Sequence, residues 1–429
     1  MFRTGAQMSL LVLLAGCLLL WLSHAGPVRH FDDAAGSRLA ELHGWGVNVA
    51  DHEKWLHRPA PVPVTLIAID DASIVNHPWP WSPLEYSLFM KATLPFEPEV
   101  VSIGEILEWD RANLAPADRQ KLPQYEKILS DSLLRAPKVL LAADLGWPED
   151  PKTIPPVGEA PLLRHVRGDL RGVPEWTVID HQPNEELRLA STIGFTNIPE
   201  SAHAIRSVPL VLRYQGRLVP TLPLQAIILW QKLAADDVQV VLGSEIVVGS
   251  FHIPIDARGE MRVNFGTPHT VISFDDLLLA AEQTAAQQKA TAPVERLRHA
   301  IALLARTDKA APQLALGNGH AGTAGQLYAA AIATIQAQSY LQRVPLWVDA
   351  LLIACAALVA GWVPRWKKKK VAFWSMLAFC VWLITAFVLF WTSRLVLPVV
   401  LPLGLALFIA LYRLATPDSV WNLSRPVIL

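Results

Sequence analysis

The sequence predicts an α/β protein, a mixed-sheet extracytoplasmic domain with transmembrane helices, one N-terminal and three C-terminal. Three observations predict it. Between residues 64 and 142, short apolar runs alternate with amphipathic stretches, as strands and helices do in a parallel sheet. One long apolar run opens the chain and three close it, and 52% of the 429 residues are hydrophobic. A basic cluster, Arg365 and Lys367 to Lys370, lies between two of the closing runs and orients them.

Met8 to Leu22 is apolar behind Arg3, and residues 1–25 read as a signal anchor. Ser23-His24-Ala25 also resembles a cleavage site, and Leu14-Ala15-Gly16-Cys17 a lipoprotein box. The apolar run continues past Cys17, which favours a retained anchor. All three alternatives export residues 26–345. Residues 26–62 read as a helix and a proline-rich approach. Val64–Ile69 is then a buried strand ending in Asp70 and Asp71. Pro83 to Leu94 is a helix with Ser82 as N-cap and proline at its first position. Glu99–Ile103 and Lys138–Ala142 are strands, with a helix over Leu122–Leu134 between them.

Pro148 to Pro183 reads as a long surface loop, rich in proline and glycine. Ser191–Asn197 and Ser207–Arg213 read as strands, Tyr214 to Arg217 as a hairpin turn, and Thr221 to Leu233 as an apolar helix. Val238–Leu242, Glu245–Val248 and Met261–Phe265 are short strands that complete the sheet in antiparallel fashion. Phe274 to Thr307 is Ala-, Gln- and Leu-rich and reads as helix, broken at Pro293. Gly317 to Gly322 is a connector without the Gly-Lys-Ser/Thr ending of a phosphate loop, and Ala324 to Ser339 is a small-residue helix.

Residues 346–412 hold three spans: Leu346–Val363, Val371–Trp391 and Leu395–Tyr412. Asp349, near the start of the first, is expected at a hydrated end. Positively charged loops stay inside, so the lysine cluster and the tail 413–429 face the cytoplasm and the large domain lies outside. That reads as a multi-pass membrane protein with its large domain outside the cytoplasm. Residues 23–345 carry 28 Lys and Arg against 36 Asp and Glu, a net of −8. Such a body lacks the basic face of a nucleic-acid binder. Cys17, Cys355 and Cys380 all lie in apolar runs, and the thirteen histidines show no ligand spacing. No metal and no cofactor are expected.

The candidate site sits where the first strand ends. Ligands of open α/β sheets bind beyond the carboxyl ends of the strands. Asp70, Asp71 and Ser73 stand there, Glu105 and Asp144 end the neighbouring strands, and Trp79 and Trp81 follow between prolines. The same residues would equally serve as a helix cap and a core. The candidate ligand-binding set is therefore Asp70, Asp71, Ser73, Trp79, Trp81 and Glu105, with no catalytic and no metal-ligating residue.

These residues also carry a resemblance. A strand ending Ile69-Asp70-Asp71-Ala72-Ser73, then Trp79-Pro80-Trp81, resembles the CHASE type-2 domain, a bacterial extracytoplasmic sensory module. Gly194 to Asn197, Ile205 to Leu210, Ile253 to Asp256 with Val263-Asn264-Phe265, and Tyr340 to Pro345 follow in the family's order, over about residues 30–412. Where the family has an Arg after Trp-Pro-Trp this chain has Ser82-Pro83, and a second family Asp is Glu105. The resemblance implies a sensor in the bacterial inner membrane with its domain on the periplasmic or extracellular side, three spans, and then a cytoplasmic output domain. After the last span only the short tail 413–429 remains, so the signal is expected to pass to a separate chain.

The expectation is thus a membrane-anchored, receptor-like protein that is not an enzyme. It would work as a homodimer or in a hetero-complex with a separate signalling or envelope protein. The alternative is a structural or assembly subunit of an envelope complex that binds no ligand. Four spans with both termini cytoplasmic make one direct prediction. A cytoplasmic reporter fused after Leu429 is active and an alkaline-phosphatase fusion there is silent; the reverse overturns the topology.

Overall fold

The computed structural model describes residues 2–24, 62–109, 116–148, 160–198, 204–343, 346–363, 368–393, 395–397 and 400–415. The expected helix and proline-rich approach over 26–62 fall outside these but for their last residue. The chain divides into two units, Met1–His43 with Leu341–Leu429, and Gly44–Tyr340.

In the larger unit β1 (Val64–Ile69) is buried along its whole length, because both faces of its sheet are covered. Val64 and Leu66 enter one core, Ile67 and Ile69 the other. The other strands of this sheet are β2 (Val100–Ile103), β3 (Val139–Gly146), β4 (Val178–His181), β5 (Thr192–Phe195), β6 (Thr270–Ser273) and β7 (Ile301–Arg306). Their order is β6-β1-β7-β2-β3, with β5 beside β3 and all six strands parallel. β4 pairs antiparallel with the last residues of β3, so the sheet is mixed.

The helix Pro83–Thr93 begins as its sequence demands. Ser82 and Glu85 form a reciprocal capping box and Pro83 occupies the first turn. With Pro116–Leu133 and Phe274–Ala285 it covers one face of the sheet. Leu222–Trp230 and Ala324–Gln336 cover the other.

The structure corrects the helical reading of Phe274 to Thr307. The helix stops at Ala285, and Ile301–Arg306 is a strand inserted between β1 and β2. It is buried from Ile301 to Ala305. A solvated helical arm is therefore not formed there. The expected long loop is corrected too: its described part contains the strands His165–Arg167, Glu175–Trp176 and β4. Nor do the antiparallel strands complete the main sheet. Gln239–Val241, Glu245–Val248 and Phe251–Pro254 form their own sheet with His165–Arg167. The hairpin at Gln215-Gly216 forms as expected, with both residues at positive φ and Tyr214 facing Arg217. Gly317 to Gly322 is the turn and second strand of a small hairpin.

The small-residue helix Ala324–Gln336 lies in the core, with Ala329, Ala331 and Ala333 fully buried. Its small residues face the domain interior rather than solvent. Gly325 lets it approach β7, since a Cβ there would collide with that of Ala305. At its far end, buried Asn264 donates Nδ2–H to Ser339 O (3.0 Å) and its backbone N–H to Thr334 Oγ1 (3.0 Å).

Among the described residues the smaller unit contains four apolar helices, Phe2–His24, Leu346–Ala360, Lys368–Ser393 and Val400–Ala415. Gly16 packs on Ile353 and Gly404 on Leu19, where any Cβ would collide. Asp349 lies in the first turn of Leu346–Ala360 and is buried against the protein. Among the described residues one stretch, Lys368–Leu389, is long and apolar enough to cross a bilayer, and the other three apolar helices are shorter.

The inserted strand has a direct test. Leu304 is fully buried on β7. Leu304→Ala should cost about 2–5 kcal/mol in equilibrium unfolding of the full chain. On a solvated helix face the loss would be about 0.5 kcal/mol or less.

Candidate functional site

Register decides which residues meet at the carboxyl ends of these strands. Ile69 pairs with Arg306, Leu304 with Ile103, and Ala68 with Ser273. The residues just beyond are therefore neighbours: Ser273, Asp70, Arg306 to Asp308, and Glu105. Ala143 pairs with Phe195, which brings Asp144 beside Thr196.

Asp70 leaves β1 in extended conformation and caps the short helix Asp71–Asn76. Its Oδ1 accepts from Ser73 N–H (2.9 Å) and Ser73 Oγ–H (2.8 Å). Buried Ser73 in turn meets Ser273 Oγ at 3.2 Å, tying the ends of β1 and β6. Burial pushes the Asp70 carboxyl up, but the bonds from Ser73 outweigh it and hold it below the usual range. Asp71 is exposed; its Oδ1 accepts Lys309 N–H (3.0 Å) and its Oδ2 lies 3.3 Å from Lys309 Nζ. That backbone bond lowers its pKa.

Arg306 closes β7. It donates Nε–H and Nη2–H to the two oxygens of Asp308, each at 2.8 Å, and its guanidinium lies 4.3 Å from the centre of the Trp79 ring. Asp308 is buried, so this is an ion pair largely withdrawn from water. The Arg306 backbone N–H donates to Glu105 Oε1 at 3.0 Å. Burial raises the pKa of Glu105, more than Arg306 lowers it.

The two tryptophans differ in role. Trp81 is 2% exposed and packs against Phe274 (4.6 Å between ring centres) and Tyr86 (5.5 Å). It donates its indole N–H to His77 O and accepts from that of Trp109 through its own carbonyl. Trp79 is half-buried over Arg306. Tyr86 is buried within the field of Glu105, Glu85 and Arg306, and burial above all raises its pKa.

A second cluster lies further along the same edge. Asp144 Oδ1 accepts from Thr196 Oγ1, and the Tyr328 hydroxyl donates to Thr196 O (2.6 Å). Burial raises the Asp144 carboxyl. His181 contacts Glu108 at 2.8 Å, which raises its pKa. Asn197 fastens this edge by bonds to both the N–H and the carbonyl of Leu145. Among the described residues no three His, Cys, Asp or Glu side chains converge as a metal site.

The sequence-predicted residues thus share one end of the sheet, in unequal positions. Asp70 and Ser73 are engaged in capping, Trp81 belongs to the core, Asp71 is exposed, and Trp79 and Glu105 border Arg306. A family model described as the CHASE2 domain matches residues 13–362. The chain belongs to the CHASE2 domain family. This is a family of extracytoplasmic sensory domains. No curated protein and no solved structure matches the chain. The aspartates and tryptophans that carried the CHASE2 resemblance lie at the strand-end site. Arg306, Asp308, Tyr86 and Tyr328 were missed. The signal for Arg306 was present, since an apolar run ending Arg306-Thr307-Asp308 repeats the grammar of Val64 to Asp71.

Two carboxylates of this CHASE2 domain should behave oppositely in thermal or denaturant unfolding. Asp70→Ala should cost about 1 kcal/mol at neutral pH. That loss shrinks as pH falls through the lowered pKa of Asp70, below the ordinary carboxylate range. Glu105→Gln should leave the protein at least as stable as the parent at neutral pH. The parent's penalty for a desolvated charge vanishes as pH falls through the raised Glu105 pKa to its unfolded value, so the two curves converge in acid. A Glu105→Gln protein less stable at neutral pH than in acid, relative to the parent, would contradict this.

Proposed function

We propose that this CHASE2 protein is a membrane-anchored, non-catalytic sensor that passes a signal to a separate protein. The observation that supports the reading is how the helix Ala324–Gln336 is held. Its N-cap Thr323 donates to Arg306 O at 2.7 Å, inside the candidate site, and Tyr328 on the same helix reaches Thr196. Its other end leads, within a few residues, into the chain that carries the apolar helices. A change at the strand ends is therefore linked by hydrogen bonds to the segment that leaves the domain.

The membrane arrangement belongs to the same reading. Four spans, a cytoplasmic lysine cluster and an outer domain in the bacterial inner membrane accord with the charge distribution and with the extracytoplasmic family. On Lys368–Ser393, Phe373, Trp374, Met376 and Ile384 are exposed. In a bilayer such a surface meets lipid or another protein's span.

A second reading, a ligand-free envelope subunit, draws support from Asp70, Ser73 and Trp81, which are engaged in cap and core. Both readings require a partner, whether a second copy or a different protein. A photo-crosslinking amino acid placed at Trp374 of the full chain, activated in native membranes, should yield a protein adduct. Lipid adducts alone at Trp374 and at Ile384 would overturn the partner requirement. A kinase or cyclase in the adduct supports the sensor, and an envelope-assembly protein supports the second reading.

A further inference from the structure

One edge of the main sheet is open. β6 (Thr270–Ser273) ends the strand order and pairs on one side only, with β1. At the opposite end β5 has a second neighbour, since Phe195 bridges to Thr221. An edge strand presents a row of unpaired N–H and C=O groups. No strand among the described residues meets those on the outer side of β6.

Nor is this edge guarded. Proteins blunt such edges with charged side chains, proline or a bulge. Thr270-Val271-Ile272-Ser273 has neither charge nor proline, and its four pairs with β1 run without a register shift. Val271 stands 54% exposed within it.

The charges at the two ends of the edge complement each other. Beyond Ser273, Asp276 lies in the first turn of the helix Phe274–Ala285, exposed and without an ion pair among the described residues. At the other end Arg296 is exposed and likewise without an ion pair among them. Its carbonyl lies 3.5 Å from Thr65 Oγ1, and Thr65 pairs with Thr270. Both belong to one face of the sheet, since the adjacent Leu277 and Leu297 are buried in the same core. Neighbouring charges are already engaged, Asp275 by Asn76 and Arg298 by Glu97. Glu295 sits about a third of a turn from Arg296 on the tight helix Val294–Leu297.

We propose, resting on the partner requirement above, that β6 pairs antiparallel with β6 of a second copy about a two-fold axis at Val271. An axis normal to the sheet keeps the faces aligned and sets Val271 against the partner's Val271. It also carries the end of one strand to the start of the other. Asp276 then meets the partner's Arg296, and Arg296 meets the partner's Asp276. A strand from an unrelated protein could satisfy the backbone, but only a second copy brings both complementary charges by symmetry.

The test is disulfide crosslinking of the full chain in native membranes with a mild oxidant, in a Cys17→Ala, Cys355→Ala, Cys380→Ala background. Opposed strand residues bring their Cβ atoms to about 4.5–5.5 Å. Val271→Cys should therefore give a species of twice the chain mass on a non-reducing gel. Leu189→Cys, 82% exposed on the helix Glu185–Leu189 beside β5, should not. Sedimentation of the cysteine-free chain in detergent gives a dimer dissociation constant as second readout. Val271→Lys should raise it about tenfold or more at an unchanged melting temperature. Asp276→Arg or Arg296→Asp alone should raise it about three- to tenfold, and the two together should restore it. If Val271→Lys does not fold, the charge reversals at exposed positions decide.

A Val271→Cys chain that stays monomeric on the gel, or a double reversal no tighter than either single one, overturns the edge dimer. A mixed disulfide with a different protein overturns it too and makes that protein the occupant of the edge. In each case the sensor stands while the Trp374 adduct holds a kinase or cyclase, and it falls with an envelope-assembly protein there, whatever β6 does.

Discussion

Six consecutive residue pairs hold β7 against β1, from Val64 with Ile301 to Ile69 with Arg306. The rest of the domain depends on that pairing. It separates β1 from β2 by a strand drawn from more than 190 residues further along the chain. It places an arginine between carboxylates that would otherwise face each other. It also brings the Lys309 backbone to Asp71 and Thr307 N–H to Ile69 O (2.9 Å), so the loop after β7 closes over the end of β1. Such long-range pairing is entropically expensive to form and slow to find. It is repaid by burial on both faces, since every residue from Ile301 to Ala305 is withdrawn from water.

The strand-end carboxylates show how one edge can hold many negative charges. Each is treated differently by its surroundings. Asp70 is stabilised by donors within its own turn, Asp71 by a backbone N–H and an exposed lysine, and Asp308 by a buried guanidinium. Glu105 and Asp144 are left with more burial than compensation, and their pKa values rise. Perturbed carboxylates gather at functional sites because a fold optimised for stability alone would pair or expose them.

Much of the fold was legible because it followed local rules. Val64–Ile69 was read to the residue, since a continuous apolar run bounded by Pro63 and two aspartates admits few alternatives. Ser82 and Pro83 marked the next helix start for equally local reasons. β7 was not read, although its pattern matches that of β1. It follows an Ala- and Gln-rich helix, and helical periodicity was carried across Pro293 into residues that pair over long range. The site suffered from the same gap. Asp70, Trp79 and Glu105 lay near segments already placed, whereas Arg306 and Asp308 belonged to the strand that was missed. That Trp81 is core and Trp79 borders the arginine depends on packing around Phe274, which no spacing rule encodes.

The helix Ala324–Gln336 is lined where it is buried by alanines as well as larger residues. Alanine has no side-chain rotamers, so it cannot accommodate a displaced neighbour by turning away. A rod of 13 residues is about 20 Å long. It is pinned at one end by Thr323 and Tyr328 and at the other by Asn264 and Ser339. Held in this way it behaves as a stiff strut, and a small axial push at one end arrives at the other nearly undiminished.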